Sequence, residues 1–316
     1  MDTRLVRKKA FLFACAIAIS TNALGDGVEE NFSELFDAVD LVALDIDVQA
    51  ANIVVVGGDE ARARVNWSID YRTDDPEKAA ELRDAMRLEA STESGQLRVL
   101  LRQGVGKGWK RFFQWGSQPR IRLEVTVPSS MQVTARTSGG GIEVLNMNGD
   151  CIVKTSGGRI EMDRINGDVM ARTSGGAIRL DAIDGNMDVK TSGGAIKIED
   201  SMGSVEAKTS GGSIDIETMG EIVIAETTGG SVSAEVSGIE VKAVKLNTMG
   251  GGISIALDPR LGGTLDAKTE GGRVRLDDNW NFEGEREGSE MRGSFGSGDA
   301  EIHARTFGGG IRIKTL

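Results

Sequence analysis

Apolar side chains recur along this chain in register with a repeated polar quartet. Aligned on threonines spaced 18 residues apart, they occupy the fifth and seventh positions after each threonine and the fourth and second positions before it. A step of two is the period of a β-strand with one buried face. Each repeat therefore predicts two short strands, and so short a unit can bury its apolar face only against the next unit. The threonines are Thr137, Thr155, Thr173, Thr191, Thr209 and Thr227.

Two kinds of corner separate the predicted strands. Each threonine opens a Thr-Ser-Gly-Gly or Thr-Thr-Gly-Gly quartet, whose glycine pairs are expected to adopt positive φ without a Cβ clash. The second corner is Asn-Gly-Asp at 148–150 and 166–168, and Asp-Gly-Asn at 184–186. The threonines are interpreted as a structural ladder along the first corner. The pattern predicts an all-β fold, a single-stranded parallel β-solenoid (β-helix or β-roll) with coils of 18–21 residues, each pairing with the next coil in the sequence.

The regions before the quartets differ in character. Residues 1–23 resemble a cleavable export signal, because basic residues precede an apolar stretch over 10–19 and small residues follow. Cys15 leaves lipid attachment as a less favoured alternative. Residues 24–40 form a lead-in, residues 41–136 an N-terminal β region, and residues 137–316 the repeat solenoid with an insertion at 279–299.

One helix is predicted, over residues 76–90. Asp75 suits its N-cap and Pro76 its first turn. Ala79, Leu82 and Met86 form an apolar stripe, so the helix is expected to pack against the N-terminal strands.

The repeated Thr-Ser-Gly-Gly-x-Ile units, preceded by an extended segment ending at Val127-Pro128, resemble the bacterial putative-adhesin family, a domain of unassigned function. The resemblance spans about residues 40–316. It implies a β-solenoid in a cell-envelope setting and implies no catalytic residues. The chain departs from the family pattern at an aromatic segment, 109–115, and at the insertion 279–299.

Composition argues against several functions. The formal charge is −11, which disfavours nucleic acid as a partner. His303 is the sole histidine, so a His-based metal cluster or a Ser/His/Asp site lacks components. Cys151 falls in an inward column and is interpreted as a small buried hydrophobe. We therefore expect that the chain is not an enzyme and needs no cofactor. A polysaccharide-acting β-helix enzyme is the alternative, and it would require an irregular cleft.

Charged rows occupy the outward positions. The simplest interpretation is a pair of soluble faces that resist sideways sheet pairing. The alternative is a cation-binding envelope protein in which regularly spaced carboxylates share calcium. The basic row is Arg136, Lys154, Arg172, Lys190 and Lys208, and the acidic row is Asp163, Asp181, Glu199, Glu217 and Glu235.

A basic, aromatic segment over 104–120 is a second candidate contact surface. Ring bodies can enter a membrane interface while the cations attract an anionic partner. The structural alternative is a loop whose rings seal a gap on the solenoid. The candidate contact residues are Trp109, Lys110, Arg111, Phe112, Phe113 and Trp115.

These patterns favour an exported, adhesin-like binding or scaffold module in the periplasm or at the cell surface. The expected partner is an unidentified envelope protein or glycan, with peripheral membrane contact through 104–120 as a further hypothesis. The last coil, with Ile311 and Ile313, is expected to leave a sheet edge that the insertion covers or that another copy pairs with end to end.

Overall fold

The computed structural model describes residues 20–22, 28–103, 119–277 and 280–316. In these ranges one helix, α1 (Pro76–Asp84), accompanies two long sheets. The strands are β1 (Ser20–Asn22), β2 (Glu29–Asp37), β3 (Ala43–Val48), β4 (Ala51–Gly58), β5 (Arg62–Asp70), β6 (Met86–Glu93), β7 (Gln96–Gln103), β8 (Arg120–Pro128), β9 (Gln132–Thr137), β10 (Ile142–Met147), β11 (Cys151–Lys154), β12 (Ile160–Asn166), β13 (Val169–Arg172), β14 (Ile178–Asp184), β15 (Met187–Lys190), β16 (Ile196–Ser201), β17 (Val205–Lys208), β18 (Ile214–Thr218), β19 (Ile222–Thr227), β20 (Val232–Val236), β21 (Ala243–Thr248), β22 (Ile253–Leu257), β23 (Gly263–Thr269), β24 (Val274–Leu276), β25 (Phe282–Glu287), β26 (Glu290–Phe295), β27 (Ala300–Thr306) and β28 (Ile311–Thr315).

From β9 to β22, each coil gives one strand to each sheet. The even-numbered strands lie in the first sheet and the odd-numbered strands in the second, and neighbouring coils pair in parallel. The predicted inward columns are in register, since Ile142 pairs with Ile160 and Ile160 with Ile178, and all three are buried. The core therefore lies between the sheets, and the predicted parallel β-solenoid is confirmed.

The glycine pairs serve a different purpose from the one predicted. Neither Gly175 nor Gly176 has φ in the left-handed region. A Cβ on Gly176 would instead lie 2.0 Å from the carbonyl oxygen of Gly158 in the preceding coil. The second glycine of the quartet is thus needed for the close approach of stacked backbones.

Left-handed backbone occurs elsewhere in the coil, at the ninth residue after the threonine. Arg164 has φ of 55° and Ala182 has φ of 54°. The bend at these residues turns the following side chain inward, so Ile165 and Ile183 are buried as a third inward column. This column was not predicted because the alternation of inward and outward side chains is interrupted at the left-handed residue.

The coils at both ends are intercalated, contrary to the prediction that each coil pairs with the next. β27 lies between β21 and β23, and β28 lies between β22 and β24. At the other end β3 lies between β7 and β9, and β4 between β8 and β10. Ile311 and Ile313 are therefore interior to the first sheet, and the prediction that they form its open edge was wrong.

The insertion contributes a hairpin that extends the second sheet beyond β23. β26 pairs antiparallel with β23, and β25 pairs antiparallel with β26. Trp280 packs edge-on against Phe295 with ring centroids 4.9 Å apart, and both side chains are buried with Met291. The hairpin therefore closes this end of the core.

The other end is closed by antiparallel strands and α1. β2 and β5 extend the first sheet beyond β8, and β6 extends the second sheet beyond β7. Buried Glu30 accepts hydrogen bonds from Tyr71 Oη at 2.8 Å and Arg83 Nη1 at 2.7 Å. This triad ties β2 to Tyr71, just after β5, and to the last turn of α1, and it leaves neither carboxylate oxygen unpaired.

The helix starts where predicted but is shorter. Asp75 Oδ1 accepts from the Glu77 and Lys78 amides, and Ala79 and Leu82 are buried. The prediction that it continues to residue 90 was wrong, because Met86–Glu93 pairs antiparallel with β7 along its whole length. Pairing with a neighbouring strand here overrides the helical propensity of the segment.

Replacing Asp75 with alanine is expected to destabilise the chain by about 1 kcal/mol, because the two amides lose their acceptor. The measurement is the midpoint of urea unfolding followed by circular dichroism. Asp74→Ala removes the same charge from an exposed neighbour and is expected to have little effect. An equal loss in both variants would show that charge rather than capping matters.

Candidate functional site

An open groove runs along the outer face of the second sheet, across β11, β13, β15, β17 and β19. Its volume is about 490 Å³. Five strands at parallel spacing give it a length of about 19 Å along the solenoid axis. The groove is lined chiefly by Asp150, Ile152, Asp168, Met170, Asn186, Asp188, Ser204, Glu206, Ile222 and Ile224.

The floor of the groove comes from one outward column, the third residue before each threonine. Ile152 pairs with Met170, Met170 with Asp188, and Glu206 with Ile224. All of these side chains are half-buried, while their strand neighbours point into the core. The column is therefore apolar at both ends and carboxylate in the middle. Sequence analysis missed it, although isoleucine and methionine at outward positions were a readable signal.

One rim of the groove is a ladder of hydrogen bonds along the second corner. Asp150 Oδ1 accepts from the Asp168 amide at 3.0 Å, Asp168 Oδ1 from the Asn186 amide at 2.9 Å, and Asn186 Oδ1 from the Ser204 amide at 3.2 Å. Each aspartate uses one oxygen in these contacts. The ladder fixes the rim and keeps carboxylates along the groove.

The other side of the groove is bounded by the basic row. Lys190 Nζ lies 2.9 Å from Asp188 and 3.3 Å from Glu206, and Arg172 Nη2 lies 2.7 Å from Asp188. Burial raises the pKa of Asp188, but hydrogen bonds from Lys190 and Arg172 outweigh it and leave that pKa below its usual value. Hydrogen bonds from Lys208 and Lys190 lower the pKa of Glu206. Both carboxylates are therefore held ionised.

The acidic row lies on the outer face of the first sheet, away from the groove. Asp163 pairs in register with Asp181, and Glu217 with Glu235. Glu199 is neutralised by Arg179 at 2.7 Å and Lys197 at 2.6 Å.

Glu217 follows Glu199 in the acidic row. Its pKa is raised, mainly by burial and to a smaller extent by repulsion from Glu235 and Asp200. Among the residues that the structure describes, no three His, Cys, Asp or Glu side chains converge as a metal site.

The threonine ladder is bonded to its neighbours along the solenoid. Thr173 Oγ1 donates to the Gly158 carbonyl oxygen of the preceding coil at 2.9 Å and accepts from the Gly176 amide at 3.4 Å. Equivalent carbonyl contacts are made by Thr155, Thr191, Thr209, Thr227, Thr248, Thr269 and Thr306. These threonines are buried, so they serve the corner and are not available to a ligand.

The sequence also singled out the aromatic segment, His303 and Cys151. The contact residues predicted within 104–118, including Trp109 and Trp115, lie outside the described residues. His303 is half-exposed on β27, 4.0 Å from Asp266 and 3.9 Å from Glu301. Burial raises the pKa of Cys151 to about 12, so this thiol stays protonated at neutral pH.

Fold and site together define a two-sheet parallel β-solenoid with a surface groove. The chain matches the model of the Toastrack DUF4097 family over residues 42–314 and belongs to that family. No curated protein matches it.

Solved structures with a similar fold share little sequence with this chain. A putative lipid binding protein from Parabacteroides distasonis is 14% identical, with 90% of this chain and 96% of that chain covered and a TM-score of 0.48. A putative adhesin from the same organism is 10% identical, with 90% and 97% covered and a TM-score of 0.48. A putative adhesin from Bacteroides fragilis is 12% identical, with 90% and 97% covered and a TM-score of 0.36.

Within the described ranges, no helix has both the length and the apolar character needed to span a membrane.

Proposed function

We propose that this chain is a non-catalytic, exported binding or scaffold module of the bacterial cell envelope, adhesin-like in its use of a solenoid surface. The groove on the second sheet is its binding surface. The observation that carries the proposal is the combination of an apolar floor at Ile152, Met170 and Ile224 with a fixed rim of carboxylates. Export is supported by the signal-like pattern of residues 1–23.

The state of the groove's acids favours binding over glycan cleavage. A general acid working near neutral pH needs a raised pKa. Asp188 and Glu206 have lowered pKa values because lysine and arginine neighbours hold their charged forms. They are already paired with lysine and arginine side chains and are unsuited to delivering a proton.

The groove's shape and charge indicate the chemistry of its partner. A length of about 19 Å accommodates an extended segment of about six residues. Apolar side chains of that segment would cover Ile152 and Met170, while its cations would face the free oxygens of Asp150 and Asp168. We therefore expect an envelope polypeptide segment with alternating apolar and basic residues.

Location is tested by protease digestion of cells before and after permeabilisation of the outer membrane. Digestion on intact cells would support a surface adhesin. Digestion only after permeabilisation would support a periplasmic scaffold, and protection under both conditions would contradict export to either place.

Binding is tested with a labelled Lys-Leu-Lys-Leu-Lys-Leu peptide, using fluorescence anisotropy. Met170→Lys places a cation on the apolar floor and is expected to weaken binding by about tenfold or more, equal to about 1.4 kcal/mol. Thr134→Lys changes the same outward column outside the groove and should leave the affinity unchanged.

A Glu-Leu-Glu-Leu-Glu-Leu peptide controls for charge. Equal binding of the two peptides, or equal affinity in the two variants, would contradict the assignment of the groove. Circular dichroism of each variant verifies that the solenoid is intact.

A further inference from the structure

Two arginines stand side by side at the end of the first sheet, and neither forms an ion pair with any residue that the structure describes. Arg275 on β24 pairs in register with Arg312 on β28, and both side chains are exposed on the outer face. Among the described residues, neither guanidinium has a hydrogen bond or an ion pair. Like charges directly opposite one another destabilise a sheet unless something neutralises them.

Several basic residues in comparable rows are neutralised by neighbours. Arg172, Lys190 and Lys208 each contact carboxylates of the second sheet. In the outward column that contains Arg275 and Arg312, Arg179 contacts Glu199. The chain has 48 acidic and 37 basic side chains, so acceptors are plentiful. Two adjacent arginines that lack an acidic partner within the described ranges therefore form a candidate anion site.

A third guanidinium lines an open cavity of about 660 Å³ together with the pair. Arg286 on β25 lines this cavity with Arg275 and Arg312, and it stacks over the Phe282 ring at 5.0 Å. The hairpin is held in place because the Val274 amide donates to the Gly288 carbonyl oxygen at 3.0 Å. The three cations therefore sit on elements that are fixed relative to one another.

Carboxylates are present but do not neutralise the arginines. Asp277 and Glu287 also line the cavity, and neither forms an ion pair with Arg275, Arg286 or Arg312 among the described residues. The cavity keeps an excess of positive charge.

We propose that this arginine cluster, Arg275, Arg286 and Arg312, binds a phosphate group. A guanidinium presents parallel N–H donors that match two oxygens of a phosphate. Neighbouring parallel strands are about 4.8 Å apart, so one phosphate can accept from both Arg275 and Arg312. The group is either free phosphate or a phosphomonoester carried on a lipid headgroup.

Inorganic phosphate, titrated by calorimetry at constant ionic strength, tests the site. The wild-type chain is expected to bind phosphate, and Arg275→Gln/Arg312→Gln is expected to lose at least tenfold in affinity. Arg179→Gln removes a paired guanidinium from the same column and should bind as wild type does. Arg275→Lys keeps the charge and loses the fork, so it should bind with intermediate affinity.

Vesicles of phosphatidylcholine with and without phosphatidic acid distinguish the two sources. Sedimentation with phosphatidic acid that is lost in the double glutamine variant would assign the site to a lipid headgroup. Phosphate binding without sedimentation would assign it to the free anion. Failure to bind either probe, or binding that the double variant retains, would overturn the proposal. Arg275 and Arg312 lie on the first sheet, and Arg286 lies on β25 at the edge of the second sheet, outside the groove. The outcome is therefore independent of the groove.

Discussion

Replacing Gly176 with alanine is expected to destabilise the solenoid by more than about 3 kcal/mol or to prevent folding. The new Cβ would lie 2.0 Å from the Gly158 carbonyl oxygen and 2.7 Å from the Arg159 amide nitrogen. Both neighbours are backbone, so the clash can be relieved only by separating two coils. Separation would weaken the hydrogen bonds and the buried columns that hold β12 against β14. The midpoint of urea unfolding, followed by far-ultraviolet circular dichroism, measures the effect.

The adjacent glycine provides a matched control. A Cβ on Gly175 would meet its nearest atom, the Gly157 carbonyl oxygen, at 3.5 Å, which is ordinary contact. Gly175→Ala is therefore expected to change the free energy of unfolding by less than about 1 kcal/mol. Similar losses from both substitutions would contradict the close-stacking account of the corner and would point to a general intolerance of side chains there.

Replacing Thr191 with valine is expected to cost about 2 kcal/mol. Valine keeps the shape of threonine but removes the hydroxyl that donates to the Gly176 carbonyl oxygen at 2.9 Å and accepts from the Gly194 amide at 3.4 Å. Because Thr191 is buried, water cannot readily replace these contacts. Urea unfolding measures the loss, and hydrogen exchange at Gly194 should become faster than at the equivalent Gly212.

Two substitutions separate the hydroxyl from its surroundings. Thr191→Ser retains the donor and acceptor and should recover most of the lost stability. Ser192→Ala alters the exposed next residue and should have little effect. If serine at 191 were as destabilising as valine, the methyl group rather than the hydrogen bonds would stabilise the corner.

The fold could be predicted from the sequence wherever one coil resembles the next. The spacing of Ile160 and Ile178 predicted the strand positions, the buried face and the pairing register together, because the same pattern recurs in every repeat. The pattern could not reveal the intercalated ends. By its sequence, the unit at Thr306 can stack on any coil that has a similar quartet, so the repeat pattern does not decide its place in the array.

The other differences come from pairing between strands. The helix ends at Asp84 because β7 offers a pairing partner to the residues after it, which no local pattern reports. The groove escaped prediction because Ile152 and Met170 form its floor only once five stacked coils place them in one column with Asp188. The arginine cluster depends on the register of β24 against β28, residues far apart in sequence.

The intercalated C-terminal coil dictates an order of events as the chain is made. Central coils can add one at a time, each docking on a neighbour completed 18 residues earlier. β23 and β24 are synthesised before β27 and β28. In the part of the chain that the structure describes, β23 and β24 are joined to the central coils through pairing with β27 and β28. Their pairing with the rest of the array is therefore completed only when β27 and β28 have been made and insert between them and β21 and β22. This end of the solenoid therefore closes in one step that pairs strands far apart in sequence. We expect that step to be the slow phase of folding.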